Sequence, residues 1–167
     1  MSLRLILMRH AKSDWDDPLQ EDHDRPLNAR GRRSAVALGK WLTDKGYLPD
    51  SVLCSDAVRT RETLDGLGFG TAMPVQYLPA LYHASTGVIL RNLQEKAAGG
   101  CVLIVTHNPG CADFADRIVT APPRHDRFHD YPTGATLVAD LPAESWDEVS
   151  FHSGQAVDFI TPRELID

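Results

Sequence analysis

Cysteine, aromatic residues and positive charge are all sparse in this chain of 167 residues. Its three cysteines, Cys54, Cys101 and Cys111, show no CxxC spacing. An odd, scattered set supplies neither a disulfide framework nor a zinc knuckle, and it points to reduced thiols packed in a core and to a cytoplasmic location. Lys and Arg total 17 against 23 Asp and Glu, for a net charge of −6. That balance speaks against a broad basic surface for a nucleic-acid partner. Long hydrophobic runs are missing as well. The first apolar run, Leu5–Met8, stops at Arg9, too short for a membrane span and without a signal-peptide cleavage pattern, so no membrane partner is expected. There is no internal repeat, low-complexity tract or linker, and residues 1–167 read as one domain.

What is present alternates between strand and helix. Leu3–Met8 and Cys101–Thr106 are continuous apolar or β-branched runs, the pattern of strands covered on both faces. Shorter strands are expected at Ser51–Cys54 and Pro74–Leu78, and late ones at Ala135–Asp140, Val149–His152 and Ala156–Phe159. Apolar residues recur at helical steps from Asn28 to Lys45, with Gly46 placed as a C-cap. Further helices are expected from an Asp56 N-cap to about Leu67, over Thr86–Ala98 behind a Ser85 or Thr86 cap, and over Pro109–Val119 behind Asn108. Such alternation predicts an α/β fold: a three-layer α/β/α sandwich with a mostly parallel central sheet.

Three of the predicted strands end in polar clusters: Arg9-His10, Ser55-Asp56 with Arg59 close behind, and His107-Asn108. Ligands of parallel sheets bind beyond the carboxyl ends of strands. Arg59 and His107 also stand at helix starts, where backbone N–H groups favour an anion. Two arginines and two histidines brought together make a site for a dianion, most simply phosphate, because the guanidinium fork matches phosphate oxygens. A neutral imidazole beside a held phosphoryl group is a nucleophile. A second, protonated imidazole would stabilise charge on the equatorial oxygens. With four cationic groups available, no metal and no cofactor is called for. His125 and His129 have the i, i+4 spacing of a metal pair but lack an obvious third ligand.

"MRHAKSDW" resembles the RHG signature of the histidine phosphatase superfamily, with Ala11 in place of glycine. "SDAVRTRET" (Ser55–Thr63) and "VTHNPG" resemble its second arginine and second histidine segments, in the same order. "DRPLNARGRR" (Asp24–Arg33), "PTGA" (Pro132–Ala135) and "TPREL" are similar to the short SixA-type phosphohistidine phosphatases. The resemblance spans nearly the whole chain and implies a phosphoglycerate-mutase-like fold. It makes His10 the nucleophile, with Arg9, Arg59 and His107 binding the phosphoryl group. Arg25 would either line the mouth of the site or pair with Asp22 or Asp24.

Many superfamily members that cleave phosphate esters carry a glutamate general acid, but the corresponding "LPALYHAST" (Leu78–Thr86) has no carboxylate. Loss of a general acid costs about 10²–10⁴-fold for a leaving group that needs its proton. A P–N bond is less demanding, so the expected partner is a protein bearing phosphohistidine, and the alternative is a phosphorylated small molecule. His83 is a stand-in acid in the second case and a surface residue otherwise.

Overall fold

The computed structural model describes residues 2–166. Six strands form one sheet: β1 (Leu3–Arg9), β2 (Ser51–Ser55), β3 (Val75–Leu78), β4 (Cys101–Thr106), β5 (Thr136–Leu141) and β6 (Gln155–Ile160). Their spatial order is β3-β2-β4-β1-β5-β6. The first four run parallel, while β5 and β6 add antiparallel at one edge. The helices are α1 (Ala29–Lys45), α2 (Val58–Leu67), α3 (Thr86–Lys96) and α4 (Gly110–Ile118).

Two apolar layers explain the unbroken hydrophobic runs. Successive side chains of a strand point to opposite faces. Ile6 and Met8 of β1 pack with Leu38 and Leu42 of α1 and Leu64 and Leu67 of α2. Leu5 and Leu7 pack with Ile89 and Leu93 of α3 and Phe114 and Ile118 of α4. The expected α/β/α sandwich is therefore the fold.

Local signals held at several ends. The Asn28 side chain accepts from the Gly31 N–H at 2.8 Å, and Gly46 closes α1 at φ 75°. Ser85 caps α3. Other ends were redirected by tertiary partners. Asp56 does not cap α2; Ala57 holds that position, and the Asp56 carboxylate meets His23 Nε2 at 2.9 Å. Helix α4 starts at Gly110, one residue later than expected, although Asn108 Oδ1 still accepts from the Ala112 N–H. The strand expected at Val149–His152 is a turn following a short 3₁₀ segment, Trp146–Glu148. His152 there takes φ 58°, which ends any extended run.

Candidate active site

The register of the central sheet assembles the site. Arg9 lies opposite Thr106 on the parallel pair β1 and β4, so His10 and His107 leave adjacent strand ends side by side. Their ring centroids are 5.3 Å apart. On the far side of β4, Cys54 pairs with Val105, which delivers Ser55 to the same edge. His107 Nε2 and Ser55 Oγ are 2.8 Å apart. A pocket of about 360 Å³ opens there, with Arg9, His10, Arg25, Arg59, His83 and His107 in its wall.

The motif spacings have mechanical reasons. Thr63 lies one turn after Arg59 on α2. Its hydroxyl donates to the Arg59 carbonyl at 2.7 Å and accepts from the Ala11 N–H at 3.0 Å, fastening the end of β1 to the helix. Thr106 donates to the Leu81 carbonyl at 2.8 Å and so anchors the loop that carries Tyr82 and His83. Gly110 lets α4 press on that same loop: a Cβ there would meet the Ala84 carbonyl oxygen at 1.9 Å. The Gly134 N–H donates to the His10 carbonyl at 2.8 Å, tying the turn before β5 to the site.

His10 is buried, and its Nδ1 lies 2.7 Å from the Ala11 carbonyl. A carbonyl only accepts, so Nδ1 carries the proton and the neutral ring keeps a bare lone pair on Nε2. Burial, reinforced by the charges of Arg9, Arg59 and Arg25, lowers the His10 pKa to about 3. His107 is likewise pushed down to about 2, by burial first and then by His10, Arg59 and His83. Both imidazoles are therefore neutral in this environment.

Arg25 and Arg59 are both buried and share one carboxylate, Asp22. Asp22 Oδ1 accepts from Arg25 Nη2 at 2.9 Å, and its Oδ2 accepts from Arg59 Nη2 at 2.9 Å and from the Tyr82 hydroxyl at 2.5 Å. Burial opposes its ionisation, but the hydrogen bonds from Tyr82, Arg25 and Arg59 hold it well below the usual carboxylate range. Both readings of Arg25 thus apply: it pairs with Asp22 and it lines the pocket. The Trp15 ring covers its guanidinium at 3.5 Å. His83 stands at the rim, stacked on Tyr82 at 4.1 Å and 3.5 Å from Asp22 Oδ2. Arg9 Nε, Arg59 Nε and His107 Nδ1 are buried with no hydrogen-bond partner among the described residues. Buried polar atoms are nearly always satisfied, so three orphans around one pocket mark it as a candidate binding site.

The histidine phosphatase superfamily (branch 1) pattern matches residues 5–89, about half of the chain. This protein belongs to that superfamily. A candidate phosphohistidine phosphatase SixA from Nakamurella multipartitia is 30% identical, with a TM-score of 0.83 and 97% of each chain covered. A second candidate SixA, from Agrobacterium tumefaciens, is 26% identical with a TM-score of 0.78, over 96% of this chain and 98% of that one. An uncharacterized protein of Mycobacterium tuberculosis strain H37Rv is 33% identical, over 93% of this chain and all of its own. An uncharacterized chloroplastic protein of Arabidopsis thaliana is 37% identical over 71% of this chain, and the match spans only 60% of that protein.

Within this histidine phosphatase, sequence reasoning missed Asp22 as a member of the site, and Tyr82 with it. The i, i+3 step from Asp22 to Arg25 was a signal, but nothing local shows that Arg59 shares the same carboxylate. His125 and His129, at the spacing of a metal pair, take separate partners. His125 Nε2 meets Glu164 at 2.9 Å, while His129 faces Asp116 at 3.6 Å. Cys54 and Cys111 are buried in the core, as expected. Among the described residues no helix is long and apolar enough to cross a membrane.

Proposed function

We propose that this chain is a phosphatase that takes a phosphoryl group onto His10 Nε2 and releases it to water, with phosphohistidine on a protein as its substrate. The supporting observation is the bare Nε2 of His10 in a pocket where Arg9, Arg59 and His107 each keep an unpartnered buried nitrogen. First, the Nε2 lone pair attacks phosphorus, the P–N bond of the substrate breaks, and the departing imidazole nitrogen takes a proton from solvent. Water then attacks phospho-His10. The new P–N bond breaks, its electron pair returns to Nε2, and inorganic phosphate leaves. Arg9 and Arg59 bind the equatorial oxygens through both steps. A phosphoryl dianion in the pocket raises the proton affinity of His107, so the imidazolium that is absent from the free site belongs to the occupied one. The arginines supply the neutralising charge, and the step calls on no metal.

The carboxylate in the pocket wall is Asp22, held ionised by its own donors. It is a poor proton donor to an alkoxide, and imidazole leaves without that help. His83 at the rim supports the second reading, a phosphatase for a small phosphorylated molecule with an imidazole as its acid. One preparation assayed on a phosphohistidine protein, an aryl phosphate and an alkyl phosphate tests the choice. The expected kcat/KM falls in that order, by at least about 10² from first to last. Equal rates on the alkyl phosphate and the phosphohistidine protein would replace the first reading with the second.

A further inference from the structure

A second pocket of about 280 Å³ adjoins the phosphoryl pocket, with Lys12 and Thr133 in the wall of both. Lys12, Arg30, Arg127 and Arg163 line it, along with the buried hydroxyls of Ser34 and Thr161, and no carboxylate does. Arg127 is paired with Asp130 at 2.9 Å. Lys12, Arg30 and Arg163 form no ion pair among the described residues. In a chain of net charge −6, three unpaired cations converging on one hollow form a local positive field that the whole molecule does not share. In the wall of the phosphoryl pocket the loop after β1 also presents Trp15 at 73% exposure and, further along the chain, Leu19 at 92%. Trp15 is braced on the Arg25 guanidinium. The mouth of the site thus has a cationic side at Lys12 and an aromatic side at Trp15, whose loop also exposes Asp16 and Asp17. A small metabolite would leave most of this face unused, whereas a folded partner covers both sides at once.

We propose that this face docks the phosphorylated protein, with the basic pocket receiving acidic side chains that flank the phosphohistidine and Trp15 packing on its apolar surface. This rests on the phosphohistidine reading and adds the chemistry of the partner's surface. Carboxylates beside the phosphohistidine reach Arg30 and Arg163 while the phosphoryl group enters between Arg9 and Arg59. Because the basic side is solvent-exposed, its attraction is screened by salt, with a Debye length of about 8 Å at physiological ionic strength.

The test uses two chemically phosphorylated histidine peptides that differ only in flanks, one carrying glutamates and the other glutamines, with free phosphoramidate as a third substrate. In low salt the acidic peptide should show a kcat/KM about tenfold above the neutral one, the scale of a steering effect from a few charges. The double variant Arg30→Gln/Arg163→Gln should bring the two peptides within about twofold of each other, as should 0.5 M salt, while phosphoramidate turnover stays at the parent rate. Equal rates on both peptides in the parent protein, with phosphoramidate still cleaved, would overturn the docking proposal and leave the catalytic reading standing. No turnover of any phosphohistidine or phosphoramidate probe would overturn the catalytic reading and the docking with it. A bisphosphorylated small molecule cleaved faster than the acidic peptide, with its advantage lost in the double variant, would assign the pocket to a second phosphate and overturn the protein partner.

Discussion

The phosphoryl pocket and the basic pocket beside it both gather positive charge, and they handle it differently. In the first, Arg25 and Arg59 are 6% and 3% exposed and are held by one shared, half-buried carboxylate, Asp22. In the second, Arg163 and Lys12 are exposed and form no ion pair among the described residues. A buried guanidinium without a counter-charge is costly, whereas an exposed one is not. The buried set is therefore held in fixed positions, as the proposed catalysis needs. The exposed set can only attract. Each substitution below should act strongly in the first pocket and weakly in the second.

The largest expected effect is His10→Ala. If Nε2 is the attacking atom, turnover falls by at least about 10³-fold and no phosphate remains on the protein after rapid quench. Label recovered on His107 in the parent protein would reassign the nucleophile. Next comes Arg59→Ala, expected to lower kcat by about 10²–10³-fold, with Arg59→Lys recovering only part because an ammonium lacks the bidentate fork. Full activity in an Arg59→Ala protein of native melting behaviour would remove Arg59 from the chemistry.

Asp22→Asn sharpens the comparison most directly. It takes the counter-ion out of the buried pocket and leaves both guanidiniums facing whatever anion arrives. Inorganic phosphate should bind about tenfold more tightly, and turnover should become more sensitive to product. Titration by calorimetry reads this, and weaker phosphate binding would show that Asp22 chiefly positions the arginines.

The last effect is read on stability against pH and not on turnover. His10 and His107 titrate at about 3 and about 2 in the folded protein, against about 6.5 in an unfolded chain. Between those values the unfolded chain binds protons that the folded one refuses. Stability is therefore full above about pH 6.5 and is lost as pH falls towards 3. Thermal melts over that window should slope downward with acid, and His107→Ala should flatten the slope. The Arg30→Gln/Arg163→Gln protein should keep the parent slope, because arginine stays charged throughout. An unchanged slope in His107→Ala would refute the buried neutral imidazole.

Much of this was legible in one dimension because it depends on near neighbours in the chain. The apolar run of β1 ending in Arg9-His10, the Asn28 and Gly46 caps and the Ser85 cap are short-range patterns, and they appear where they were read. The order of the three polar clusters, each at a strand end, sufficed to bring Arg9, His10, Arg59 and His107 to one pocket. Where local signals failed, a distant partner had won: Asp56 left its helix for His23. Val149–His152, expected as a strand, turned at His152.

By itself the sequence determined the layering, the strand-end clusters and hence which side chains meet in the pocket, because periodicity and strand ends are written residue by residue. Only the tertiary structure decided the state of that pocket. It brought Asp22 from the loop after β1 to Arg59 on α2, 37 positions away, with Tyr82 at 60. It buried both histidines deeply enough to keep them neutral, and it set Arg30 and Arg163, which lie far apart in the chain, around one hollow. Charge state and counter-ion choice depend on burial and through-space distance, and neither exists until the sheet has closed its register and the helices have covered its faces.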